Sequence, residues 1–235
     1  MLTIAIMQPY FFPYIGYFQL MNAVDIFVIY DNIQYTKEGW INRNRILANG
    51  KDEYISVPLK KGPHHLSVKD RFLADTWSND RKRILNKIAE CYRKAPHFRD
   101  VSGLIKRCLI CEDRNLFGFI LNSLTVVKDY LNINAPFIVS STINIDHSLK
   151  GEYKVIEICK ALGATNYLNP IGGVELYKRE QFGKAGIQLN FIKTGDVQYP
   201  QLNNEFMPFL SIIDVMMFND KEKIRDFLAL KFTIE

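Results

Sequence analysis

At 235 residues, of which 48% are hydrophobic, the chain is long enough to bury a sizeable core without disulfides or a structural metal. Its net charge of +5 comes from bases interspersed with acids, which admits an anionic ligand such as a nucleotide diphosphate but falls short of the footprint of a dedicated nucleic-acid binder. Cys91, Cys108, Cys111 and Cys159 are scattered through predicted helices, no apolar run approaches about 18 residues, and the start lacks a basic leader, so the expectation is a cytoplasmic chain with no disulfide framework and no membrane span.

Residues 2–7 form an apolar, β-branched run with the length of a buried strand. Gln8-Pro9-Tyr10-Phe11-Phe12-Pro13-Tyr14 then breaks it. Each proline removes a backbone donor and pushes the residue before it toward extended conformations, so Gln8 and Phe12 belong to a rigid, bent loop. Tyr14, Phe18 and Met21 share a helical face, and a second strand follows over residues 25–30. Strand, loop, helix, strand is a βαβ unit of a parallel sheet, whose ligands sit beyond the carboxyl ends of the strands. Those ends carry Gln8 and Tyr10 after the first strand, then Asp31, Asn32, Gln34 and Tyr35 after the second.

Alternation over residues 37–46 places Trp40, Asn42 and Asn44 on one face and Ile41, Arg43 and Arg45 on the other. Asn49-Gly50 signals a hairpin turn, with a return strand over residues 53–59. An indole and planar amides suit a base or a sugar, and Arg43 suits a phosphate or a carboxylate; the plainer alternative is a solvated hairpin with one core tryptophan. His64 and His65 follow Gly62-Pro63 in a loop, where adjacent histidines do not converge on one ion, so no metal site is expected. Residues 76–131 carry apolar stripes at helical spacing and read as a three-helix insertion or lid within a single domain.

Strand and helix patterns alternate again beyond that block: strands near 136–140, 165–168 and 187–192, and helices over 151–162 and from Gly172-Gly173 to Phe182. The fold class is therefore α/β, a mostly parallel central sheet with flanking helices, interrupted by the hairpin and the helical block. A Gly172-Gly173 turn opening a helix can offer backbone amides to a phosphate. His147, in a loop between strand and helix, can accept a proton. Residues 206–218 read as an apolar helix in which Asp214 must be paired or face a cavity, with Arg43 or Arg45 as its expected partner, and residues 221–232 as a final amphipathic helix.

The string QPYFFPYIGY, then Asp31, Gln34, and Trp40 with Asn42-Arg43-Asn44, resembles the start of the WbqC-like family. Tyr167-Leu168-Asn169, Gly172-Gly173, Gly186-Ile187 and the stretch from Phe206 through Asp214 extend the resemblance over nearly the whole chain. It implies a place among bacterial surface-polysaccharide proteins, beside those that make nucleotide-linked amino sugars. The expectation is a transferase that forms an amide on such a sugar, taking its acyl or aminoacyl group from a donor the sequence does not name, as it names no cofactor. The resemblance brings no catalytic residue, so roles are assigned from chemistry. Asp31 and His147 are the expected proton acceptors, and Arg43 the holder of phosphate or carboxylate. Gln8, Tyr10, Tyr14, Gln34, Trp40, Asn42, Asn44, Gly172 and Gly173 are the expected ligand contacts.

The GxGxxG, Walker, GxSxG and HExxH signatures are absent. Strand, short loop, helix and acidic strand end also open the nucleotidylyltransferases and pantothenate-synthetase-like ligases, an alternative reading, although the loop here lacks their histidines. A third is a non-catalytic assembly protein, which would show its loop aromatics as a flat exposed patch.

Overall fold

The computed structural model describes residues 1–202 and 205–235. Apolar runs in the first part become β1 (Thr3–Met7), α1 (Ile15–Asn22) and β2 (Ile26–Ile29). The polar run after them folds into a hairpin of β3 (Arg43–Ala48) and β4 (Lys51–Ser56), turned by Asn49 at φ 52° and Gly50 at φ 77°. The expected block follows as α2 (Trp77–Tyr92), α3 (Phe98–Leu109) and α4 (Leu116–Tyr130). Then come β5 (Phe137–Val139), α5 (Gly151–Ala161), β6 (Asn166–Pro170), α6 (Arg179–Lys184), β7 (Gln188–Thr194), α7 (Ile212–Phe218), α8 (Lys221–Leu230) and β8 (Phe232–Ile234).

The sheet runs β5-β2-β1-β6-β7-β8, and every pairing is parallel except that of β8 with β7. With the hairpin left aside, its strands follow the order third, second, first, fourth, fifth, sixth. That is a doubly wound sheet whose order reverses between β1 and β6, and ligands of such sheets bind at this switch point. One face of the sheet, with Ala5, Phe27 and Ile29, packs against α1, the helical block, the hairpin, α7 and α8 in the larger core. The other face, with Ile4, Ile6 and Val28, is covered by Val155 and Ile158 of α5 and by Phe182 of α6.

Three expectations about elements are corrected. Residues 206–218 are helical only from Ile212, because Pro208 lacks a donor, Phe209 turns to φ 56°, and Ser211 caps α7 by accepting from the Ile213 amide. The helix expected from Gly172 to Phe182 is a 3-10 stretch, Ile171–Leu176, followed by a separate α6. Tyr177 and Lys178 between them are extended, and the Tyr177 ring is held edge-on to Tyr167 and Phe182 at 5.6 and 5.7 Å. The final helix stops at Leu230, where β8 peels off to pair Phe232 with Thr194 and Ile234 with Ile192.

Candidate functional site

The loop after β1 is held in place by the hairpin. Phe11 donates its amide to the Trp40 carbonyl at 3.0 Å, and the buried Asn44 side chain donates to the Phe11 and Phe12 carbonyls at 3.1 and 2.9 Å. Phe12 sits at φ 42°, a conformation strained for a bulky residue, and its carbonyl takes a second bond from Ser211 Oγ at 2.8 Å. The loop so fixed and the hairpin enclose a cleft of about 200 Å³ between Tyr10, Tyr14, Trp40, Arg45 and Phe209. Its wall is layered: Trp40 stacks on Tyr54 at 6.3 Å and 20°, and the Arg45 guanidinium lies 5.5 Å from the indole. Phe209 meets Tyr14 edge-on at 6.3 Å and is 65% exposed. Beyond that pair opens a second cavity of about 400 Å³, reaching Thr194, Gly195 and Asp196 at the end of β7.

Of the ligand contacts expected from the sequence, Tyr10, Tyr14, Trp40 and Asn44 line this cleft. Several others turn their polar atoms to the chain itself. Asn42 donates to the Val57 carbonyl at 2.8 Å and accepts from the Tyr35 hydroxyl at 2.9 Å. Arg43 closes the turn before it by donating to the Gly39 carbonyl at 3.2 Å and lies over the Tyr54 ring. Gln34 donates to the His64 carbonyl at 3.1 Å. Asn42 and Arg43 thus brace the hairpin, and Gln34 the loop at His64. Gln8 stands apart, at the switch point, where its carbonyl accepts from the Tyr17 hydroxyl at 3.0 Å.

A second cluster forms where β2 and β5 end. Asp31 is 1% exposed, and its carboxylate accepts from Ser140 Oγ at 2.8 Å, the Ser141 amide at 2.9 Å and Ser141 Oγ at 2.6 Å. Asn32 reaches His147 Nδ1 at 3.0 Å, and His147 Nε2 meets the Ile143 carbonyl at 3.0 Å. A carbonyl only accepts, so Nε2 carries the hydrogen and Nδ1 accepts from the amide: both ring nitrogens are engaged. Over this frame lies Lys154, its ammonium bonded to the His147 carbonyl at 3.4 Å and 5.2 Å from the centre of the Tyr30 ring. Burial pushes the lysine below its ordinary pKa and nearby Lys69 adds to the fall, while the charge of Asp31 opposes both. Burial and the neighbouring Tyr177 push the Tyr30 phenol up to about 12, so it stays neutral near pH 7.

A model of the WbqC-like protein family matches residues 8–226, from Gln8 to within α8. The chain belongs to that family. Membership points to a role in polysaccharide biosynthesis, and both clusters of this WbqC-like protein fall inside the matched span. The uncharacterized protein Rv1507c of Mycobacterium tuberculosis is 30% identical over 232 residues, 97% of this chain and 98% of the relative. No solved structure matches the chain.

Two further features of the WbqC-like chain stand outside these clusters. A Cβ on Gly173 would come within 2.5 Å of Asn169 Oδ1 at the end of β6, so the glycine gives that side chain its room, whereas Gly172 has open space around it. Asp214 pairs with neither Arg43 nor Arg45. It is fully buried and accepts from Tyr92 and Tyr199 hydroxyls at 2.8 and 2.7 Å and from Gln201 at 2.7 Å, while Arg45 turns outward to Asp52 at 3.0 Å. Neutral phenols are cheaper to bury beside a carboxylate than a guanidinium is. Burial lifts the Asp214 carboxyl above its ordinary range against the pull of those hydrogen bonds. Among the described residues no group of three or more His, Cys, Asp or Glu is placed to hold a metal, and no helix is long and apolar enough to cross a membrane.

The sequence reading missed Arg45, Phe209 and Lys154. Lys154 left a signal, since it sits four residues before Ile158 on the apolar stripe of α5. Pro208 marks the break in helical pattern before Phe209, but nothing local sets the φ of 56° that presents the ring.

Proposed function

We propose that this WbqC-like protein binds a nucleotide-linked amino sugar and forms an amide on its amino group, as a step of surface-polysaccharide biosynthesis. The observation that carries the reading is the sequence of features along one sheet edge: an aromatic cleft, the switch point at Gln8, and the ends of β2 and β5 with the buried ammonium of Lys154. Tyr30 is bonded to the Met7 carbonyl at 2.7 Å, and only three residues lead from Met7 to Tyr10, at most about 10 Å of extended chain. A ring stacked on Tyr10 then leaves its phosphates within reach of the ends of β2 and β5.

Amide formation requires a neutral amine. As the amine nitrogen bonds to the acyl carbon and the donor's leaving group departs, one amine proton must leave. Asp31 is too enclosed to take it directly, but Ser141 is half-exposed, and its hydroxyl both accepts and donates. It can receive the amine proton while passing its own to Asp31 Oδ2 along the 2.6 Å bond. His147, with both nitrogens engaged, holds Lys154 through its carbonyl.

A thermal-shift panel of dTDP-, UDP- and GDP-sugars near millimolar concentration tests the reading. One nucleotide class should raise the melting temperature, by the linkage of binding to folding. No shift with any of them removes nucleotide-sugar recognition.

The sheet order favours a second reading, a nucleotidylyltransferase or ATP-dependent ligase, because nucleotides bind doubly wound sheets at the switch point. It requires pyrophosphate release from a nucleoside triphosphate in the presence of a carboxylic acid or sugar phosphate. A purely assembling role is disfavoured by the aromatics: Phe11 is fully buried, and Tyr10, Tyr14 and Trp40 line a concavity rather than a flat patch.

A further inference from the structure

One charged group at the sheet edge has no part in the amide chemistry. Lys154 occupies the first turn of α5, the end where a helix dipole disfavours a cation, and is 4% exposed. An ammonium has three hydrogens to donate. Among the described residues Lys154 has one long bond, to the His147 carbonyl at 3.4 Å, and the face of Tyr30. Asp31 is near enough to act on it electrostatically but forms no ion pair with it, and its oxygens are taken by Ser140 and Ser141. The backbone amide of Lys69 donates to the Asp31 carbonyl at 3.2 Å, which brings a second cation into the same field. A buried charge with unfilled donors is costly, and a ligand of opposite charge relieves the cost.

We propose that Lys154 anchors a phosphate group of the ligand, with Lys69 as an outer cation and the Tyr30 hydroxyl and Asn32 side chain beside it. The ligand class rests on the nucleotide-sugar reading, while the anchor itself requires only a phosphate. Four rotatable bonds let the ammonium leave its long bond to His147 when an anion enters. The phosphate restores charge neutrality around Lys154.

Calorimetric titration with inorganic pyrophosphate and with UDP, at low salt, tests this in the wild type, Lys154→Met and Lys69→Gln. The wild type should bind both probes, UDP more tightly if its base enters the aromatic cleft. Lys154→Met should weaken both by about tenfold or more, and Lys69→Gln, an exposed change that leaves the fold alone, by a few-fold, as expected for charge-assisted contacts. Lys154→Gln removes the same charge but keeps a polar end in its place, so the proposal stays testable should Lys154→Met fail to fold. Probe affinity unchanged in Lys154→Met or in Lys154→Gln overturns the anchor. Failure of both probes to bind the wild type overturns it too. Nucleotide sugars that bind wild type and Lys154→Met equally leave the functional reading standing and the anchor refuted. Pyrophosphate binding lost in Lys154→Met, with no nucleotide sugar bound, does the reverse.

Discussion

Asn44→Ala separates a residue that holds the cleft from one that holds the ligand. The Asn44 amide donates to two carbonyls, those of Phe11 and Phe12, and its oxygen accepts the Arg45 amide at 2.8 Å. Alanine abolishes all three bonds in a site that is 3% exposed. The Phe12 carbonyl keeps Ser211, but the other two groups lose the partner that Asn44 supplied. At about 1 kcal/mol for each of the three bonds, the loss comes to about 3 kcal/mol before any penalty for a stranded group. For a chain of this size that lowers the melting temperature by roughly 6–12 °C. Equilibrium urea unfolding measures it, the midpoint falling with little change in slope. Ser211→Ala acts on the same Phe12 carbonyl, so the two changes should be non-additive by at least about 0.5 kcal/mol in a double-mutant cycle. An Asn44→Ala protein as stable as wild type, yet unable to bind a ligand that wild type binds, would refute the reasoning and return Asn44 to the ligand.

Trp40→Ala should weaken binding of whichever nucleotide sugar shifts the melting curve by about 1–3 kcal/mol, the scale of a base stacked on an aromatic ring, with little loss of stability because the indole is only half-buried. Asp31→Asn removes the charge that receives the relayed proton, so turnover should fall about 100-fold or more while ligand affinity, by calorimetry, stays close to wild type. The pKa of Lys154 is lowered in the folded chain, so the cost of its charge is full below that pKa and vanishes as pH rises toward the unfolded value near about 10.4. Lys154→Met should therefore unfold at higher urea than wild type at pH 7, and the difference should narrow steadily toward pH 10.

Periodicity carried most of the fold. The βαβ opening, the Asn49-Gly50 hairpin and the three-helix block all follow from apolar spacing and turn chemistry, which are local. β8 was invisible because Phe232, Thr233 and Ile234 are strand only by virtue of the β7 edge that receives them. The site was legible in part for a similar reason. Tyr10, Tyr14 and Trp40 sit beside rigid punctuation, prolines and a hairpin, that fixes where they point. Whether a polar side chain faces a ligand or a neighbouring carbonyl is decided by tertiary contacts, which is why Asn42, Arg43 and Gln34 look alike in sequence to residues of a binding surface.

The position of β1 in the sheet sets a timetable for the nascent chain. β1 is the first strand to be made, yet it lies at the centre, and its neighbour β6 begins at Asn166. At about 5–20 residues per second, the ribosome takes roughly 10–30 s to supply that partner. Through that interval β1 and β2 can pair, but the other edge of β1 has nothing to hydrogen-bond, and the face that carries Ile4 and Ile6 has no α5 to cover it. The doubly wound order that creates the switch point thus also leaves the first strand of the sheet exposed longest. Chaperone demand during synthesis should track the delay to residue 166 and not the stability of the finished domain.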